Sequence, residues 1–166
     1  MSDTLLADAE VFWCEAGMHY QQEAVKAACL TLQDGHGLNV NLLLLAWWLA
    51  NHDYELQPEQ FRLLDETVRH WHEQQLGTIR QLKSAAQNAH WLEEEHRQNL
   101  YQKLLDSELA MERIEQRMLL EKLAGMKLSK RQGASARQSL WNYLLYGGVS
   151  YSSENQKLVE RIADDN

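Results

Sequence analysis

The stretch that decides the fold runs from Val25 to His52, VKAACLTLQDGHGLNVNLLLLAWWLANH. Within it Leu42 to Ala50 form an apolar run with no polar interruption. Water rejects such a run, so other segments must supply the surface that covers it. Ala24, Val25, Ala27, Ala28, Cys29, Leu30 and Leu32 read as a helix, with Ala the strongest former. Asp34-Gly35-His36-Gly37 stops it, because glycine takes positive φ without a Cβ clash. Asn39 or Asn41 then caps a second helix by accepting a bond from an orphan first-turn N–H. A strand is the competing reading: Leu38, Val40 and Leu42 alternate with Asn39 and Asn41, and Asp-Gly is a hairpin signal. The run is built of Leu, Ala and Trp rather than β-branched residues, which favours a helix. Val40, Leu43, Leu44 and Trp47 lie on one side of that helix, and Leu42, Leu45 and Leu49 on others, so it belongs at the centre of the molecule.

Outward from this pair, the chain reads as helices throughout. Ser2 or Asp3 caps a first helix whose stripe is Leu5, Leu6, Ala9, Phe12, Trp13 and Ala16. Pro58 and Glu59 open another, in which Phe61, Leu64, Val68, Trp71 and Leu76 recur at three- and four-residue spacing. Gly77-Thr78 interrupts it, and Ile79, Leu82, Ala85, Ala86 and Ala89 extend the pattern. A long charged helix follows over about 93–124, with an apolar seam of Leu100, Leu104, Met111, Ile114, Met118 and a Leu near 120–123. Glu108, Glu112, Glu115, Arg113, Arg117 and Lys122 take its other faces, and Glu112 and Glu115 read as a solvated row. The two seams suit an antiparallel pair, and the long helices offer a route to homodimerisation. Gly125 to Gly133 is basic and without acids, the composition of a mobile linker. Ser135 opens a helix ended by Gly147-Gly148, and Ser152 or Ser153 caps a last one. The expected organisation is an all-α single-domain helical bundle of six to eight helices: a helical core over 1–124 with a buried helix near 40–52 and two long helices, a linker over 125–133 and a helical extension over 134–166.

At 166 residues the chain can bury about 70% of its unfolded surface, enough for a core without staples. Its net charge of −8 repels phosphate backbones and anionic lipid, which argues against nucleic-acid and membrane partners. The basic stretch Lys127 to Arg131 lacks the interleaved aromatics of a nucleic-acid surface. Cys14 and Cys29 sit in apolar helical contexts and read as buried reduced thiols. The start, MSDTLLADAE, has no signal-peptide pattern, and the apolar run is too short to span a bilayer, so a soluble cytoplasmic protein is expected.

Catalytic motifs are missing: there is no G-x-S-x-G, phosphate loop, dinucleotide fingerprint or Cys pair. A di-metal carboxylate site needs two Glu-x-x-His motifs and two further Glu, and only Glu93–His96 has that spacing. His70 and His72 point about 200° apart on a helix and cannot share an ion. No metal or cofactor is expected. Two functional readings remain. The first is a non-enzymatic interaction or adaptor module meeting an unknown protein partner through Trp91, Trp141, Arg113 and Arg117, since exposed aromatics and Arg are enriched at interfaces. The second is a small-molecule-binding protein or enzyme using the polar corner Gln33, Asp34, Asn39 and Asn41, walled by Trp47 or Trp48.

Phe12-Trp13, Ala28-Cys29-Leu30, Leu32-Gln33-Asp34, Gly37, Val40-Asn41-Leu42-Leu43-Leu44 and Trp48-Leu49-Ala50 resemble an uncharacterised proteobacterial family, domain-of-unknown-function family 2390. The resemblance is strongest over residues 10–52. It continues more loosely through Trp71, Ile79-Arg80, Leu82-Lys83 and Glu108-Leu109 to Glu112, and fades after about residue 125. Gln22-Glu23-Ala24 stands where the family more often has Pro-Gly, and Asn39 where it has Asp. The resemblance implies a soluble bacterial protein and a common fold, and transfers no catalytic residue.

Overall fold

The chain from Asp8 to Asp164 is described by a computed structural model. The expected caps Ser2 and Asp3, and Leu5 and Leu6, lie outside these residues. Asp8 caps α1 (Ala9–Tyr20), its carboxyl accepting from the N–H groups of Glu10 and Val11. Then come α2 (Glu23–His36), α3 (Val40–Asn51), α4 (Pro58–His70), a π-helical turn (Trp71–Leu76), α5 (Gly77–Gln87), α6 (Glu94–Ala124), α7 (Ala136–Tyr146) and α8 (Ser153–Ala163). The fold is all-helical, and α4, the π turn and α5 form one continuous rod over 58–87. The break expected at Gly77-Thr78 is thus no break: the chain widens by one turn just before it and carries on.

The turn between α2 and α3 forms as its residues dictate. Gly37 closes α2 at φ 69°, and its N–H donates to the Gln33 carbonyl at 2.8 Å. Asn39 Oδ1 accepts from the Asn41 N–H at 2.9 Å and caps α3. From Asn41 to Ala50 every residue of α3 is buried. Helices α1, α2, α6 and α7 surround it, α7 most extensively. Trp48 is wholly buried against Phe12, with ring centroids 4.9 Å apart. Its indole N–H donates to Glu15 Oε2 at 2.6 Å, and His52 Nε2 lies 3.0 Å from the same oxygen. Trp47 stacks on His19 at 3.8 Å, and His19 Nε2 donates to the Ile162 carbonyl at 2.7 Å, which ties α8 to α1.

Three expectations are corrected. Leu140, Tyr143, Leu144, Val149, Leu158, Val159 and Ile162 belong to the same core cluster as α1 to α4, so residues 134–166 complete the core rather than extend from it. The basic segment 125–133 is tied down: Met126 and Leu128 pack on the core, Arg131 N–H donates to the Asp53 carbonyl at 2.7 Å, and Gly133 N–H to Asp53 Oδ1 at 3.0 Å. Lys130 also lies over the Tyr54 ring at 5.6 Å. Composition hid this because the partners, Asp53 and Tyr54, stand far earlier in the chain. Cys14 is exposed, on the outer side of α1, while Cys29 is buried and burial pushes its thiol up to about 12.

Candidate functional site

Helix α6 is 31 residues long, about 46 Å at 1.5 Å per residue. Among the described residues α5 is the most extensive partner of α6, and the two make a two-helix arm whose turn carries Trp91. The arm and its root present two faces, one polar and closed, the other apolar and half open.

The polar face is a line of carboxyls. Glu108, Glu112 and Glu115 fall at i, i+4 and i+7, one side of α6. Glu115 is wholly buried and Glu108 nearly so, which overturns the solvated row read from the sequence. Glu115 Oε1 accepts from Asn39 Nδ2 at 2.7 Å and Asn41 Nδ2 at 3.0 Å, and His72 Nδ1 on the π turn lies 3.0 Å from Oε2. Gln116 Nε2 donates to Asn41 Oδ1 at 2.9 Å. The Asn39 N–H donates to the Tyr143 hydroxyl at 2.8 Å, and burial holds that phenol far above its ordinary range. Farther out, Arg80 donates to Glu108 at 3.2 Å and Glu112 at 3.0 Å, and Lys83 also pairs with Glu108. Burial raises the Glu112 carboxyl, with Arg80 opposing. Tyr20 beside this group is pushed up to about 12, chiefly by burial. Gln116 Oε1 is buried without a partner. A buried polar atom left unpaired costs about 1–3 kcal/mol, so the paired remainder of the seam, centred on Glu115, fixes the cap of α3, the π turn and α6 in one register.

This seam accounts for two of the five corner residues. Asn39 and Asn41 meet at Glu115, whereas Asp34 is exposed, Gln33 is half-buried at the end of α2, and Trp48 bonds Glu15 toward the other end of α3. Glu115, Gln116 and His72 were missed by sequence reasoning. One signal pointed to them: two amide side chains inside an apolar run require buried acceptors, and carboxyls at i, i+4 and i+7 supply a row of them.

The apolar face is the seam read from the sequence, with a different fate. At about 100° per residue, Leu104, Met111, Leu100, Met118 and Ile114 span a sector of about 80° along one edge of α6. Leu100 is 42% exposed, Ile114 46%, and Leu104, Met111 and Met118 are half-buried. The edge is open because the polar seam, with Leu119, Leu120 and Leu123 below it, occupies the side of α6 turned to its neighbours. On α5, Arg80 reaches the carboxyl line, and Leu82, two residues on, is 52% exposed on the opposite edge. Trp71, half-buried, donates its indole N–H to the Met111 carbonyl at 3.2 Å and closes the lower end.

The other expected contact residues are scattered. Trp91 is 83% exposed at the arm's turn. Trp141 is half-buried, its ring 4.9 Å from Tyr151, beside exposed Leu145. Arg113 pairs with Glu10 and lies over the Trp13 ring at 5.1 Å, and Arg117 borders a shallow cleft with Asp8 and Glu121. Among the described residues, no three His, Cys, Asp or Glu side chains converge as a metal site, and no helix is long and apolar enough to cross a membrane.

Fold and site together define a class: a helical bundle around one buried helix, with a projecting two-helix arm. The chain belongs to the protein family of unknown function DUF2390, whose model matches residues 11–119, from α1 to late α6. The match takes in the buried helix, the rod, the arm and the whole carboxyl line. Nothing among curated proteins or solved structures matches the chain.

Proposed function

We propose that this protein is a non-enzymatic interaction module that receives an amphipathic helix along the open edge of its α5–α6 arm. One observation carries the reading: an apolar stripe at coiled-coil spacing, Leu100, Leu104, Met111 and Ile114, running down to Met118 where it packs on the core, is left half exposed. Stripes of this spacing are covered by helices, because only a helix presents side chains at a matching pitch. An exposed apolar surface of this kind is the usual mark of a binding face. The carboxyl seam supports the reading from behind, since its bonds fix the root of the arm, from Glu108 to Glu115, in one register with the core. A reducing cytoplasmic location goes with the proposal, in keeping with two free thiols.

The test is affinity capture from cells of the source organism with three baits: wild type, Ile114→Asp, and Tyr151→Ser as a control on a distant patch. The reading expects a protein retained by wild type and the control and lost from Ile114→Asp. Identical retention by all three baits overturns it.

A further inference from the structure

We infer that the helix received by the open edge is α6 of a second copy of this chain, laid antiparallel. The inference rests on the proposed interaction face and adds its occupant. Two interleaved seven-residue series run along the edge: Arg97, Leu104, Met111 and Met118 in one, Leu100, Ser107, Ile114 and Glu121 in the other. Antiparallel helices pack one series against the other in each layer. A single register satisfies the whole edge. It sets Leu104 against Ile114 of the second copy, Leu100 against Met118, and Ser107 against Met111. The next layer out, at each end, brings Arg97 to Glu121. The two-fold axis then passes near residue 109, where the small residues Ser107 and Ala110 let the backbones approach. The edge is therefore complementary to itself in shape and, at both ends, in charge, as an isologous dimer requires. Joining two arms also turns each two-helix hairpin into half of a four-helix bundle, the smallest helical assembly with an enclosed core. Lys103 faces Arg117 of the second copy, a like-charge pair that makes the register testable.

Sedimentation equilibrium of the full chain across the micromolar range is the experiment, with circular dichroism confirming that each variant keeps its helicity. The wild type sediments as a dimer. Ile114→Asp, at a position already 46% exposed and so tolerant in the monomer, weakens the dimer on the order of a hundredfold. Should that variant lose helicity, Leu100→Asp on the projecting arm serves in its place. Lys103→Glu replaces the like-charge pair with an attractive one and tightens the dimer roughly two- to fivefold. A wild type monomeric throughout, or a dimer indifferent to both aspartates, overturns the second copy as occupant. A Lys103→Glu dimer that is unchanged or weaker overturns the register. A monomeric wild type whose capture of another protein still depends on Ile114 removes the self-pairing alone and leaves the interaction face standing.

Discussion

Glu115 shows how one side chain can set the conformation of three elements. Its carboxyl is out of contact with water and accepts from Asn39, Asn41 and the His72 side. Removing it strands two amide N–H groups in the core, each costing about 1–3 kcal/mol, and opens a void besides. Glu115→Ala is therefore expected to lose about 3 kcal/mol or more in urea unfolding. Glu115→Gln keeps an oxygen for the two asparagines and turns an amide toward His72 Nδ1, which can accept as the neutral ring, so its loss is expected near 1 kcal/mol. Equal midpoints for Glu115→Ala and wild type would mean the seam holds nothing together. At this scale the sequence was half legible. A cap at Asn39 or Asn41 is legible because capping is local, and Asn39 is the one that caps. Its second bond, to a residue 76 positions away, leaves no local trace.

At the scale of elements, the local signals were the readable ones. Asn39, Pro58, Ser135 and Ser152 stand where they cap or start helices, and Gly37 where one ends. Burial on α6 was misread for a physical reason. Its apolar seam and its carboxyl line are neighbouring edges of one helix, and hydropathy sends the seam inward when nothing declares partners for the carboxyls. Those partners, Arg80 and His72, come into line only through the π turn. Eight residues of unbroken α-helix would set them about 80° apart, and one extra residue in a wide turn takes up about 100°, leaving them about 20° apart. Deleting Gln75, an exposed residue of that turn, restores the α phase. Arg80 and Lys83 then swing off Glu108 and Glu112, and Ile79 and Ala86 leave their places against α6. The deletion is expected to destabilise the chain by about 2–4 kcal/mol in urea unfolding, while Gln75→Ala stays within about 0.5 kcal/mol. If the deletion matched Gln75→Ala, the wide turn would have no part in aligning the seam.

Across the whole molecule, apolar burial is uneven. The core cluster draws on α1 to α4, the last turns of α6, α7 and α8, and includes six large aromatic side chains, Phe12, Trp47, Trp48, Tyr54, Phe61 and Tyr143. The arm buries far less: Ile79, Ala86 and Ala89 on its α5 side, and no fully buried apolar residue on α6 before Leu119. Free energy of local opening follows buried apolar contacts, so the arm should open without the core. Amide hydrogen exchange is expected to show residues 85–105 exchanging orders of magnitude faster than 42–50 in dilute monomer. This gradient also bears on association. Covering Leu100, Leu104 and Ile114 adds contacts only to the arm, so binding raises protection there and leaves α3 unchanged. Exchange measured at rising protein concentration separates the cases. Protection that climbs over 97–118 alone marks the arm as the associating element, and protection that climbs uniformly, or around Trp141 and Tyr151, places the contact elsewhere. An arm as slow to exchange as α3 in dilute monomer would remove the premise, because a hairpin already held by its own packing has no surface left needing cover.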